Sequence, residues 1–222
     1  MLHSRERFEA WRVGSRGSSP WPSPIPILRS RLGANVGDYS RAVRWLYPDA
    51  RLLAFEPNPA VCTRLAERLG SDAKAEVFPC ALAATAGRRA LYATGAPALA
   101  SLLEPAAGLR ETFGPEDSAT AVVEIETRRF DEAVDLARYP KPVLLKMDVQ
   151  GAELEVLEGA AAQLGHVACV KLELSFDKYY LGQSSCADLV GLLADHGFTR
   201  SYQESMNVAD RRVRWCDLVF LR

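Results

Sequence analysis

The chain has 222 residues, of which 48% are hydrophobic and 25% are charged, with a formal net charge of -1 from 27 basic and 28 acidic residues. This composition is typical of a folded globular protein and excludes disordered and fibrous classes. The balanced charge gives no field that would draw the chain to nucleic acid or to an anionic membrane. At roughly 150 residues per domain, the length predicts one domain with additions.

The sequence predicts a cytoplasmic protein with a small-molecule partner. No run approaches the roughly 20 apolar residues needed to span a bilayer, and the first 25 residues lack the apolar stretch of a secretory signal. Five cysteines are far apart, with no C-x-x-C pair, and are interpreted as buried or idle thiols. The oligomeric state is left open.

The N-terminal residues 1–24 are rich in arginine, serine and proline and show no usable periodicity. We interpret them as a loose arm that precedes a folded domain over residues 25–222. From there, short apolar runs alternate with helical patterns, which is typical of βαβ units around a mostly parallel sheet.

The first clear βα unit begins with the apolar run 51–55. The run ends at Glu56 and Pro57, where the proline stops a strand and can open a helix. A helix over residues 60–69 follows, because its apolar positions recur every four residues and form one buried stripe.

A second unit starts with residues 142–149 and continues in a helix that has Leu154, Leu157, Ala161 and Leu164 on one face. The remaining predicted elements are strands at 75–80, 121–128, 167–174 and 214–221, and a helix at 184–196. Together these elements predict an α/β, Rossmann-like fold with a mostly parallel, doubly wound sheet and an antiparallel edge strand.

A glycine-containing loop, residues 33–38, comes before a predicted helix at 39–46. Glycines there let a ligand approach the backbone, and a helix N-terminus offers N–H groups to a carboxylate, although a tight turn without function would look the same.

Glu56 ends the next strand about twenty residues later, where a carboxylate can bind ribose hydroxyls or simply face solvent. The loop lacks the middle glycine of G-x-G-x-x-G, so the pair favours S-adenosylmethionine over NAD.

The segment 146–153 places Asp148 near the carboxyl end of a strand that is predicted to be buried. Ligands bind at that edge of open α/β sheets, so the carboxylate is expected in the same crevice as the glycine loop. Lys146 is two residues away and points to the same face of the strand, so a purely structural Asp–Lys pair is the alternative.

Four stretches carry a family resemblance: LGANVGDYS, LLAFEPNPAVCTRLAERL, CALAATAG and LLKMDVQGAELEVLEGA. In order and rough spacing they resemble the successive motifs of the FkbM methyltransferase family, and the similarity covers about residues 32–222. The resemblance implies a class I methyltransferase fold, S-adenosylmethionine as cofactor, and O-methylation of a hydroxyl group on a sugar or small natural product.

The same resemblance implies roles for individual residues. The predicted cofactor contacts are Gly33, Ala34, Asn35 and Gly37 at the methionine end, Glu56 and Pro57 at the ribose, Ala81 and Leu82 at the adenine, and Asp148 beside the transferable methyl group. Asp148 is the first candidate to orient or deprotonate the acceptor hydroxyl, and Glu173 at the end of the next strand is the second. No catalytic metal is predicted, although a Mg²⁺ ion held by these two carboxylates stays open.

The sequence departs from the family pattern before the glycine loop, because Arg31 stands where family members have an aspartate. Arg29, Ser30 and Arg31 fit poorly in a central strand that is buried on both faces, so either the first strand is damaged or the printed N-terminus is not the native one.

Two other functions compete with this interpretation. One is a catalytically silent binding protein of the same fold. The other is an NAD-linked or nucleotide-sugar oxidoreductase, which the missing glycine and the lack of a Tyr-x-x-x-Lys pair disfavour. Residues 95–120 are expected to shape the acceptor pocket but carry no readable substrate code.

We predict that Arg31→Asp strengthens the binding of S-adenosylhomocysteine. By the resemblance, the family's aspartate holds the positively charged amino group of the cofactor, which an arginine would repel. Calorimetry measures the affinity directly, and an unchanged or weaker affinity would contradict the alignment of this strand.

Overall fold

A computed structural model describes the backbone of residues 28–222 and the side chains from Gly33 onward. The predicted arm, residues 1–24, lies outside the described residues. The strands are β1 (Leu28–Leu32), β2 (Leu52–Phe55), β3 (Ala75–Phe78), β4 (Ala81–Leu82), β5 (Gly87–Thr94), β6 (Thr120–Arg128), β7 (Val143–Met147), β8 (Val167–Ser175), β9 (Arg200–Ala209) and β10 (Arg212–Leu221). The α-helices are α1 (Asp38–Leu46), α2 (Pro59–Leu69), α3 (Ala107–Asp117), α4 (Phe130–Ala133), α5 (Glu153–Gly159) and α6 (Cys186–Asp195).

Seven of these strands form one mixed sheet in the order β3-β2-β1-β7-β8-β10-β9. Parallel pairing joins β3, β2, β1, β7 and β8, whereas β10 is antiparallel to both of its neighbours. The antiparallel strand was predicted at the edge, but β9 occupies the edge and β10 lies one strand inside. The hairpin turns at Asp210 and Arg211, both with positive φ (51° and 64°), which suits a two-residue turn between twisted strands.

Strand β6 is the main correction to the predicted sheet. The run 121–128 was placed among the strands of the large sheet, but β6 belongs to a separate three-stranded sheet in the order β4-β6-β5. It pairs antiparallel with β5 over the full length of that strand. Val122 is 65% exposed and Ile125 is buried, so the strand buries only part of its apolar residues and does not meet the demand of a central parallel strand.

Strand β1 forms despite its polar residues. Its backbone pairs in parallel with β2 on one side and with β7 on the other, and Arg31 lies opposite Ala54 and Lys146. The expectation of a damaged first strand is therefore wrong for the backbone, since the hydrogen-bonded ladder uses main-chain groups that every non-proline residue carries. The side chains of residues 28–32 lie outside the described part of the chain.

The predicted helices are confirmed with one change of length. α2 buries Val61, Leu65 and Leu69, as the four-residue spacing predicts. α5 ends at Gly159, so two residues predicted on its apolar face, Ala161 and Leu164, lie beyond it. A Cβ at position 159 would lie 2.2 Å from the carbonyl oxygen of Ala83. The end of α5 therefore packs closely on the segment after β4 because residue 159 is a glycine.

The largest buried cluster lies along the middle of the seven-stranded sheet, with Leu53, Leu145 and Leu172 from three of its strands and Leu193 from α6. This core fixes the strands relative to one another, so the loops that leave their carboxyl ends are held at defined positions. Among the helices that the structure describes, none has the length and apolar character to cross a membrane.

Candidate active site

The loops that follow β1, β2 and β7 meet at one cleft at the carboxyl edge of the sheet. The space between its lining atoms, including open solvent at the mouth, is about 670 Å³. The predicted cofactor contacts that line it are Gly33, Asn35, Glu56, Pro57, Ala81, Leu82 and Asp148. The other two do not: Ala34 is fully buried, and Gly37 caps the N-terminus of α1.

The glycine loop after β1 follows a path that only small residues permit. Gly33 has φ +72°, and a Cβ there would lie 2.1 Å from the carbonyl oxygen of Asp148. Gly37 has φ +84°, and its Cβ would lie 2.8 Å from the side chain of Leu65. The loop therefore lies in backbone contact with the turn after β7 and close to α2, and side chains at these glycines would separate the elements.

Glu56, at the end of β2, connects the second strand to the glycine loop. Its Oε2 accepts a 2.7 Å hydrogen bond from the backbone N–H of Asn35, and its Oε1 accepts a 3.0 Å bond from the N–H of Asn58. The side chain is only 6% exposed. These two bonds to backbone N–H groups fix the orientation of the carboxylate at the wall of the cleft.

Asp148 lies directly after β7 and faces the cleft between two donors. Its Oδ2 accepts from the ammonium of Lys146 at 2.9 Å and its Oδ1 from the amide of Gln150 at 3.0 Å. The Lys146 side chain is 9% exposed and the Asp148 side chain 32%. The predicted Asp–Lys pair is therefore present, and its cation is buried while its carboxylate lines the cleft.

Two further acids lie near Asp148 but do not line the cleft. Glu173, the second predicted catalytic residue, lies on β8, where burial together with the charge of Asp148 raises its pKa to about 8. Glu153, in the first turn of α5, accepts from the N–H of Val149 at 3.2 Å, and burial raises its pKa to about 7. Glu173 is thus mostly protonated at neutral pH and is a poorer base than an ionised carboxylate.

The sequence did not reveal the residues that hold Gln150, the hydrogen-bond donor to Asp148, in place. Tyr180, which follows β8 and is 2% exposed, contacts Gln150, and Ser101 donates to the backbone carbonyl of Gln150. These residues are distant in sequence and belong to no motif. The expectation that residues 95–120 help to shape the pocket is met at residues 97, 98 and 100–102, which line the cleft.

The charge of the cleft comes from carboxylates. Its acidic side chains are Glu56 and Asp148, and none of its described lining residues is a lysine, arginine or histidine. The negative charge of Asp148 is balanced by the ammonium of Lys146, which lies 2.9 Å away behind the cleft wall. Within residues 28–222, no group of three or more histidine, cysteine, aspartate or glutamate side chains is arranged to hold a metal ion.

Comparison with known families gives a match over most of the chain. Residues 32–200 match the profile of the "Methyltransferase FkbM domain". The 2-O-methyltransferase NoeI of Sinorhizobium fredii is 27% identical over 175 residues, which are 77% of this chain and 72% of that protein. The hexuronic acid methyltransferase AglP of Haloferax volcanii is 31% identical over 143 residues, 64% of this chain and 54% of that protein.

Among solved structures, the FkbM methyltransferase from Methylobacillus flagellatus KT is similar in fold. The TM-score is 0.52 at 18% sequence identity, and the match covers 87% of this chain and 43% of that chain. The chain thus spans about half to three quarters of the two curated relatives and less than half of the solved one.

We predict that Gly33→Ala lowers the free energy of unfolding by about 2 kcal/mol or more, because the methyl group meets a backbone oxygen and the residue keeps a positive φ. The matched control is Gly165→Ala, where a Cβ meets nothing within 4 Å. Urea denaturation measures both variants. Equal stability of the two would contradict the close packing of the loop after β1 on the turn after β7.

Proposed function

The chain belongs to the FkbM methyltransferase family, and we propose that it transfers a methyl group from S-adenosylmethionine to a hydroxyl group of a sugar or small natural product. The observation that supports this most strongly is the convergence of the glycine loop, Glu56 and Asp148 on one cleft. The sugar class is suggested by the named activity of AglP as a hexuronic acid methyltransferase.

The residues present fit the proposed cofactor. Glu56 is held where it can accept hydrogen bonds from the two ribose hydroxyls. Buried Ala81 and Leu82 offer an apolar surface for the adenine ring. The methionine carboxylate is assigned to the N-terminus of α1, whose first N–H groups point toward the glycine loop.

When bound, S-adenosylmethionine supplies an electrophilic methyl carbon on a positively charged sulfur. Asp148 faces the cleft with one negative charge, which suits that cation. In the proposed reaction, Asp148 accepts a hydrogen bond from the acceptor hydroxyl and takes its proton. The bound methyl donor would supply the methyl group to the acceptor oxygen, and its sulfur would keep the electron pair of the broken carbon–sulfur bond. Most of the rate gain comes from alignment of the oxygen with the methyl group.

Glu173 is the second proposed acid in this reaction. Since its pKa is raised to about 8, it holds a proton at neutral pH and can receive the acceptor's proton only after losing its own. This makes Asp148 the preferred acceptor of the proton and leaves Glu173 the role of a nearby hydrogen-bond donor.

We also infer that the seven-stranded sheet is the mostly parallel, doubly wound sheet of class I methyltransferases. The parallel pairing of five consecutive strands in the sheet supports this, as does the position of the cleft at their carboxyl ends.

The cofactor assignment predicts that S-adenosylmethionine binds more tightly than NAD. Glu56→Gln should weaken S-adenosylmethionine roughly 10- to 100-fold, because a hydrogen bond to a charged acceptor contributes about 1.5–3 kcal/mol. Glu67→Gln, an exposed position on α2, is the matched control and should bind like the native chain. Calorimetry that finds tighter NAD binding, or equal affinities for the two variants, would overturn the assignment.

The catalytic assignment predicts that Asp148→Asn lowers the rate of methyl transfer by roughly 10²–10⁴-fold while S-adenosylhomocysteine affinity changes far less. The assay is a mass-spectrometric search for a methyl gain on a panel of neutral sugars and hexuronic acids. Asp195→Asn, an exposed position at the end of α6, is the control. Transfer by Asp148→Asn at the native rate would exclude the role of Asp148. Cofactor binding by the native chain without transfer to any acceptor would favour the catalytically silent alternative.

A further inference from the structure

Gln150 lies between the cleft acid and a buried tyrosine. Its Nε2 donates to Asp148 Oδ1 at 3.0 Å, and its Oε1 lies 3.2 Å from the hydroxyl of Tyr180. The same hydroxyl is 2.8 Å from the carbonyl oxygen of Leu99, so its one proton is shared between two acceptors. The acceptor end of the Gln150 amide therefore faces Tyr180, and the donor end faces Asp148.

The backbone of Gln150 is held as firmly as its side chain. It has φ +56°, which is uncommon outside glycine, and Gly151 follows with φ +94°. Ser101 donates to the carbonyl of Gln150 at 2.7 Å. A Cβ at Gly151 would lie 3.2–3.3 Å from Gln183, Leu103 and Tyr180. The turn is thus enclosed by two segments from elsewhere in the chain, which maintain a conformation that costs about 1–3 kcal/mol.

Among the described side chains, charged and titratable groups on β7, α5 and β8 and in the segment after β8 lie near Asp148. Arg31 on β1 is paired with Lys146 in the strand register, and its side chain lies outside the described part of the chain. Lys146 on β7 donates to the other oxygen of Asp148. Glu153 on α5 and Glu173 on β8 are acids whose pKa values are raised to about 7 and about 8, mainly by burial. Burial also raises the pKa of Tyr180, so its hydroxyl stays neutral. A second acid in contact with Asp148 would disfavour its ionised form. At position 150, whose side chain lies 3.0 Å from Asp148 Oδ1, the chain has an amide.

We propose that Gln150 is a positioning residue that keeps Asp148 ionised and turned toward the methyl donor, because it presents an amide N–H where a carboxylate of the same shape would share a proton with Asp148. The inference rests on the proposed function. It adds that Gln150, which does not line the cleft, acts together with Lys146 on the charge and orientation of the cleft acid.

The proposal has a consequence that binding alone can measure. S-adenosylmethionine carries a sulfonium charge, whereas S-adenosylhomocysteine has a neutral thioether. An ionised Asp148 beside the sulfur strengthens the first ligand relative to the second, and a protonated Asp148 does not. The ratio of the two dissociation constants therefore follows the charge of Asp148.

The experiment measures this ratio by calorimetry on the full chain, from about pH 3 to about pH 6, for the native protein, Gln150→Glu and Gln150→Met. In that range Glu153 and Glu173, whose pKa values are raised to about 7 and about 8, stay mostly protonated. The midpoint is the pH at which the preference for S-adenosylmethionine over S-adenosylhomocysteine is half of its maximum. In Gln150→Glu, two carboxylates in contact share one proton, so this midpoint should rise by about one pH unit or more. Gln150→Met removes the donor without adding a charge and should raise the midpoint less. Gln203→Glu, at an exposed position on β9, adds the same charge far from Asp148 and should leave the midpoint unchanged.

The outcomes distinguish the positioning role of Gln150 from the proposed methyltransferase function. Native binding of both ligands, with a raised midpoint in Gln150→Glu or in Gln150→Met but not in Gln203→Glu, supports the positioning role. Native midpoints in both position-150 variants, or loss of S-adenosylhomocysteine binding in both, would reduce Gln150 to a structural residue and overturn the inference. If the native chain binds neither ligand, the proposed function fails and this inference fails with it.

Discussion

The site depends on the approach of two backbone segments that leave neighbouring parallel strands. Gly33, after β1, lies against the carbonyl of Asp148, after β7, with no room for a Cβ. The N–H of Asn35 in the same loop donates to Glu56 at the end of β2. One loop therefore joins three strand ends, and the core beneath the sheet fixes the spacing of those strands. Any change that lifts this loop would break its contacts with both Glu56 and the backbone of Asp148.

The acids around the cleft occupy different electrostatic environments. Glu56 is stabilised by two backbone N–H groups, and Asp148 is held between an ammonium and an amide. Glu153 is buried and Glu173 is half-buried, and their raised pKa values, about 7 and about 8, leave Glu153 partly protonated and Glu173 mostly protonated at neutral pH. The two carboxylates that line the cleft are thus the ones held by hydrogen-bond donors.

The parts of the fold that could be predicted from the sequence are those with a strong local signal. The βα units at β2–α2 and β7–α5 combine an apolar run, a turn and a four-residue spacing, and the structure has them. Strand β9 was missed because its residues are mostly polar and exposed and carry no such pattern. β6 was placed in the wrong sheet because an apolar strand does not reveal its partner. The polar residues of β1 suggested damage, but its main chain pairs normally.

The residues of the candidate site also differ in whether the sequence could predict them. The glycine loop, Glu56 and Asp148 stand in motifs whose chemistry is local, so their convergence could be predicted from strand ends alone. The link from Tyr180 through Gln150 to Asp148 could not, because it joins residues 30 positions apart in the chain.

The most direct test of the shared cleft is a crystal structure of the chain with S-adenosylhomocysteine. The account predicts ribose hydroxyls within hydrogen-bonding distance of Glu56, the adenine against Ala81 and Leu82, and the sulfur on the side of Asp148. A ligand bound elsewhere, or one whose ribose and sulfur lie away from these two acids, would contradict it.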